Sequence, residues 1–280
     1  MSSYFPIPPN IWIEELSENI YGSITFLNIP NNQLKNNLFS RKYNDNVYLG
    51  VYCIEKFNWE LLKVFKCRPN EFIEIKRGEL NVNNNRIIVV VPKKNNNFIK
   101  KTNKLIKPDS LRIDRSPIAE RVSINFHLRE SFTSYQGEYP YEMTLLKKSS
   151  FLTFDVLKNP SEINNINFLI LTNIFQESQM QDDCNIEFFD PYFRKNIKLF
   201  KAKRNAYTIK RVYDLEKKIG NEETLFLKSN KFNFIPLMLS INIESKQLSL
   251  EHTHPPTEFF YGLKKYEAVK LIKNQWLQDE

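Results

Sequence analysis

Residues Glu120–Phe132 read ERVSINFHLRESF, and within them Val122, Ile124, Phe126 and Leu128 alternate with Arg121, Ser123, Asn125, His127 and Arg129. Side chains one apart in an extended chain point to opposite faces, so period-two alternation marks a strand with one apolar and one polar face. Shorter runs of the same kind recur at Ile20–Ile29, Val47–Ile54, Phe72–Lys76, Arg86–Val91, Phe151–Leu157, Asn167–Ile174, Asn185–Phe189, Ile197–Ala202, Tyr207–Val212 and Thr224–Lys228. Phe234–Ile243 and Gln247–Thr253 flank Glu244-Ser245-Lys246, the spacing of a hairpin. Asn58–Lys66 suits either a short helix or a strand.

Parallel sheets need crossover helices, and too few helical patterns lie between these runs to supply them. The prediction is a mainly β protein, an antiparallel β-sandwich or jelly roll. A C-terminal helix over Glu258–Leu277 is also expected. There Phe259, Tyr266, Val269, Ile272 and Trp276 recur at helical spacing after Pro255 and Pro256, with Thr257 as N-cap. The segment Pro92–Pro108 (PKKNNNFIKKTNKLIKP) is polar, basic and bounded by proline. It reads either as a linker or as a long connection between strands. One β-rich domain spanning residues 1–280 is therefore expected, with a subdivision near residues 92–108 as the alternative.

With 41% hydrophobic and 14% aromatic residues over 280 positions, the chain has the material for a large core. Its three cysteines, Cys53, Cys67 and Cys184, form no CxxC pair and no ladder with histidine, which suits reduced thiols and a cytoplasmic protein. No apolar stretch reaches the ~18 residues of a membrane span, and the N-terminus lacks the signature of a secretory signal. No membrane partner is expected. The net charge of +8 arises from 40 basic and 32 acidic residues interspersed, which favours anionic partners only weakly. GxGxxG, GxxxxGK[ST], GxSxG and HExxH are absent, and six glycines leave little for phosphate-cradling loops. Nucleotide-driven phosphoryl transfer and Rossmann-type redox chemistry are thereby disfavoured.

The densest polar group is Arg112, Asp114, Glu120 and Arg121, continuing into His127 and Arg129. Guanidinium forks match pairs of oxygens on a carboxylate or phosphate, and a carboxylate such as Asp114 or Glu120 can orient His127 for acid–base work. The competing reading is a solvated strand whose arginines pair with its own acids across the sheet. The next stretch, Ser134–Glu142, carries Tyr135, Gln136, Glu138 and Tyr139 in a Gly/Pro loop able to stack on sugar rings or to close the end of a sheet. Glu74-Ile75-Lys76 after Asp45 has the Glu-x-Lys form found in metal-dependent nucleases, a pattern that chance also produces in a chain rich in Glu and Lys.

His252, His254 and Glu258 lie at the predicted end of a strand, where residues two apart face one way and can share a metal. The string HxHxxxE is similar to the first metal-binding motif of the cupin family. That resemblance implies a divalent zinc, iron or manganese ion held by His252, His254 and Glu258. It departs from the family in its glycine spacing, with Gly262 only four residues after Glu258, and no histidine follows His254 to form the second motif. His127 is the remaining imidazole.

The leading expectation is binding or modification of a polar, anionic or glycan-like small molecule in a β-sandwich cleft. A nucleic-acid or acidic-partner protein is the alternative, using Lys93, Lys94, Lys100, Lys101, Lys104 and the run Lys195–Arg211. A structural or assembly subunit is the third.

Overall fold

The structure is a computed structural model and describes residues 2–28, 46–83, 86–111, 122–144, 150–154, 164–178, 183–190, 195–212, 225–229 and 234–252. Antiparallel strands dominate it, as alternation predicts. The helical elements among the described residues are short 3-10 turns at Glu14–Leu16, Arg77–Leu80 and Tyr141–Thr144. The expected helix over Glu258–Leu277 lies outside them. The chain divides into two compact units, Met1–Tyr141 with Gln176–Met180, and Glu142–Phe175 with Gln181–Glu280. The division falls at Tyr141–Glu142, and residues 92–108 lie inside the first unit.

In the first unit one sheet has the order β11-β1-β7-β4-β5-β8. These strands are β1 (Ser3–Pro6), β4 (Val47–Glu55), β5 (Asn58–Cys67), β7 (Ile88–Lys93), β8 (Lys101–Thr102) and β11 (Tyr139–Pro140). The open choice at Asn58–Lys66 resolves as strand β5. Lys56 and Phe57 take positive φ values of 44° and 68°, which turns β4 back on β5 in two residues. One face is apolar through Leu49, Val51, Val90 and Phe5, all buried. Across the other face runs the connection after β7, with Phe98 against Gly50 and Tyr52, and Leu105 N–H donating to Gln176 O. Gln176 O also accepts from Trp59 Nε1 at 2.9 Å, so the chain returning at Gln176 is tied to β5.

The second sheet of this unit has the order β10-β9-β3-β2, with β6 also paired to β3. These are β2 (Ile11–Ile13), β3 (Glu18–Leu27), β6 (Phe72–Lys76), β9 (Val122–Leu128) and β10 (Ser131–Gln136). Its apolar face carries Ile20, Ile24, Phe26, Ile75, Val122, Ile124, Phe126 and Leu128, all buried. Phe26 meets Phe5 of the first sheet with ring centroids 6.3 Å apart. Gly22 breaks this apolar series because a Cβ there would stand 2.2 Å from Pro8 O, so the incoming chain crosses directly over it. Arg77 is fully buried beside β6, its guanidinium donating to the carbonyls of Ile7, Asn83 and Arg86.

The second unit holds two four-stranded sheets among the described residues. One orders β12 (Ser150–Phe154), β17 (Leu225–Ser229), β14 (Asp183–Asp190) and β15 (Lys195–Lys203). The other orders β16 (Tyr207–Arg211), β13 (Asn165–Thr172), β18 (Ile235–Asn242) and β19 (Leu248–His252). The predicted hairpin is the β18–β19 turn, where Asn242 Oδ1 accepts from the Ser245 N–H and hydroxyl.

Candidate functional site

The outer face of the five-stranded sheet concentrates the first unit's chemistry. Directly opposed residues of antiparallel strands share a face, so the pairing registers sort the side chains into rows. Tyr21, His127 and Phe132 form one row across β3, β9 and β10. Ser23 heads the next, with Lys76 on one side and Asn125 then Ser134 on the other. Thr25 follows, between Glu74 and Ser123. Leu27 and Phe72 close the series at one end, and Trp12 opposite Asn19 begins it at the other.

Small polar side chains make the floor of this face. Ser23 and Asn125 are buried, at 1% and 4% exposure, while Trp12, Tyr21, Phe72 and Phe132 stand 53%, 53%, 69% and 60% exposed. The sheet therefore presents aromatic rings at two ends of a polar stretch. From Tyr21 to Leu27 is six residues, or about 20 Å along an extended strand. His127 stacks on Phe132 at 5.8 Å between centroids and 21° between planes, which holds the imidazole flat in the row.

Hydrogen bonds fix the floor. Ser23 Oγ donates to Glu74 Oε1 at 2.8 Å and lies 3.0 Å from His127 Nε2. Asn125 Nδ2 donates to Ser23 Oγ at 3.2 Å and to Thr25 Oγ1 at 3.0 Å. The serine hydroxyl thus donates to Glu74 and accepts from Asn125, and its contact with His127 Nε2 completes the cluster. Glu74 Oε1 is also 3.4 Å from His127 Nε2, and its other oxygen lies 3.6 Å from Lys76 Nζ. Serine, histidine and carboxylate are together, but not as a nucleophile with its base. The Ser23 hydroxyl donates to the carboxylate and is buried in the sheet, so it is not presented to a substrate.

The sequence candidates distribute unevenly. Arg112, Asp114, Glu120 and Arg121 lie outside the described residues, as does Asp45; among the described residues the carboxylate beside His127 is Glu74, from the Glu-x-Lys pattern. Glu120–Phe132, read above as one strand, is two: β9 ends at Leu128 and β10 begins at Ser131. Arg129 occupies the intervening turn with φ 53°, a conformation that glycine or asparagine usually takes. The turn removes Arg129 from the row of His127, and its guanidinium forms a two-pronged ion pair with Glu18.

The tyrosine loop packs inward. Tyr135 sits opposite Ile124, on the apolar face, and burial followed by the Glu138 charge pushes its phenol up to about 12. A Cβ on Gly137 would stand 2.1 Å from Ile124 Cδ1, so the loop is pressed against that face. Glu138 Oε2 accepts from Ser3 Oγ at 3.3 Å, and Tyr139 is fully buried opposite Tyr4. Gln136 has its backbone in register with Ser123. Tyr135, Glu138 and Tyr139 thus lie at the end of a sheet, with Tyr139 buried.

His252 ends β19 in the second unit, opposite Leu237, whereas His127 belongs to the first. His254 and Glu258 lie outside the described residues. Among the described residues no group of three or more His, Cys, Asp or Glu is placed to hold a metal ion, and no helix is long and apolar enough to cross a membrane.

Residues that sequence reading passed over are Tyr21, Ser23 and Phe132. The signal for them is pairing register, which brings three separate strands into one row. Compared with protein families, with curated proteins and with solved structures, the chain matches none.

Proposed function

We propose that this protein binds, rather than cleaves, a glycan-like ligand along the outer face of the five-stranded sheet, the first unit being a β-sandwich. The observation that carries this reading is the row Tyr21–His127–Phe132, exposed at its two outer rings, beside a hydrogen-bonded floor of Ser23, Asn125, Thr25 and Glu74. Aromatic rings take the apolar face of a pyranose, and the partly exposed Glu74 carboxylate and Thr25 hydroxyl, held by Ser23 and Asn125 beneath them, satisfy its hydroxyls. The sandwich reading is supported by the contact of Phe5 with Phe26, one from each sheet.

Charge favours a neutral ligand here. Lys76 is paired with Glu74 and Arg129 with Glu18, so the described cations around this face are largely cancelled. A single-stranded nucleic acid needs its phosphates neutralised as well as its bases stacked. An open face with rings about 20 Å apart also suits an extended chain better than an enclosed small molecule.

The test is calorimetric titration with neutral cello-, chito- and manno-tetraoses, at low and at high salt. At least one series is expected to bind, with an affinity nearly independent of salt, and binding is expected to vanish in a Tyr21→Ala, Phe132→Ala double variant. Absence of binding to all three, together with tight and salt-sensitive binding of an oligothymidylate, rejects the proposal in favour of nucleic acid.

A further inference from the structure

We infer a second interaction surface on the first unit, along the outer edge of β5, whose partner is an anionic lipid surface. It is independent of the glycan reading, since it shares none of that face's residues.

The surface originates in a register irregularity. Val51 pairs with Lys63 and Tyr52 with Leu61, so Leu62 is an extra residue bulged out of the ladder. It stands 38% exposed. Beside it, Leu61 N–H donates to Lys100 O at 2.9 Å, which brings the connection after β7 alongside and sets Ile99, 53% exposed, next to the bulge. Strand β8 pairs with β5 only at Trp59 and Glu60, so among the described strands the edge from Leu62 to Cys67 is uncovered.

Exposed cations flank these two aliphatic side chains on both sides of the edge, Lys66 on the face that the connection crosses and Lys63 on the opposite one. Lys63, Lys66 and Lys100 are exposed. Lys101 is balanced by Glu60 at 2.9 Å, and no carboxylate among the described residues pairs with the other three. Lys63 extends over the Phe65 ring, 4.7 Å from its centroid, which keeps its stem along the strand and its charge outward.

The side-chain chemistry selects a bilayer over a nucleic acid. Leucine and isoleucine insert among acyl chains but offer no ring to a base. Lysines act as point charges near anionic headgroups, without the planar fork that reads phosphates individually. The expectation of no membrane partner rested on the absence of a span, and adsorption to a lipid surface requires none.

The experiment is co-sedimentation of the full chain with phosphatidylcholine vesicles containing about 30% phosphatidylserine, against pure phosphatidylcholine, with an oligothymidylate as competitor. Binding to the mixed vesicles alone is expected. Lys63→Gln, Lys66→Gln, Lys100→Gln together should lower partitioning by about a hundredfold, each lysine near the surface contributing about fivefold. Leu62→Ser with Ile99→Ser should also weaken binding while the lysines remain; all five positions are exposed, and unchanged near-ultraviolet circular dichroism verifies folding. No binding to mixed vesicles overturns the inference. So does binding that the Leu62→Ser, Ile99→Ser variant retains in full, or that the oligothymidylate abolishes at equal charge.

Discussion

Ser23 Oγ lies 3.0 Å from His127 Nε2, across the pairing of β3 with β9, and within 2.8 Å of Glu74 Oε1 on β6. Three strands distant in sequence are locked together by one buried hydroxyl, and the same contact holds the imidazole in its row. This relationship makes the floor of the site a rigid platform, because Ser23 Oγ and Asn125 Nδ2 find their partners within the sheet.

Ser23→Ala should destabilise the protein by about 1–3 kcal/mol, because Asn125 and Glu74 each lose a partner in a buried setting. Asn125→Ala should cost a similar amount. Urea unfolding of the two single variants and the double variant measures this; their effects should be clearly non-additive, as expected for one network. Additive losses would show that the bonds act separately.

Tyr21→Ala and Phe132→Ala should act on binding rather than on folding. Both rings are more than half exposed, so stability should change by less than about 1 kcal/mol. Affinity for the ligand should fall by about tenfold or more for each, the scale of one ring-stacking contact. Thermal melts beside titrations separate the two effects.

Arg77 gives the opposite pattern. Its guanidinium caps three backbone carbonyls in the interior, so Arg77→Ala is expected to cost on the order of 3 kcal/mol or more through buried acceptors left without donors. Arg77→Lys should recover little, since an ammonium cannot span three divergent carbonyls. A midpoint in urea unchanged by Arg77→Ala would contradict this role.

Burial pushes the Cys67 thiol up to about 11, above its ordinary value, despite the nearby Asn28 hydrogen bond. Cys53 is shifted the same way, and all three cysteines are buried. The thiolate is the reactive form, so Ellman's reagent at pH 8 should label these sites only at the rate of unfolding. Fast labelling in the native state would refute the assignment.

Asp109 supplies an acid limb to stability. Burial raises its carboxyl, but the Lys93 ammonium at 2.6 Å, the Lys94 N–H and both lysine charges outweigh it and hold the value below the ordinary range. A depressed folded value means that the contribution is present above the unfolded carboxylate range, near pH 4, and is lost as pH falls through the folded value. Asp109→Asn should flatten stability below about pH 4 by on the order of 1 kcal/mol or less, as read from denaturation midpoints against pH.

Much of the fold was legible because alternation is a local signal. Val122, Ile124, Phe126 and Leu128 report a core face with no knowledge of their partners, and the runs at β6, β13 and β18 do the same. The hairpin at Arg129–Glu130 was not legible, since neither residue is one that such a turn selects. Missing it put Arg129 on the wrong row and hid the parity that turns Tyr135 inward. The site itself depends on register between strands far apart in sequence. His127 stood out as a rare residue on a polar face, whereas Tyr21 and Phe132 acquire meaning only as its opposite neighbours.

The most direct measurement is a proton–nitrogen and aromatic-proton spectrum of the isotopically labelled protein, recorded while the best-binding tetraose is added. Shifts should concentrate on the His127, Tyr21 and Phe132 rings and on the amides of β3, β9 and β10, leaving the second unit's amides in place. Saturable shifts that leave those three rings unmoved would contradict a binding face on the five-stranded sheet.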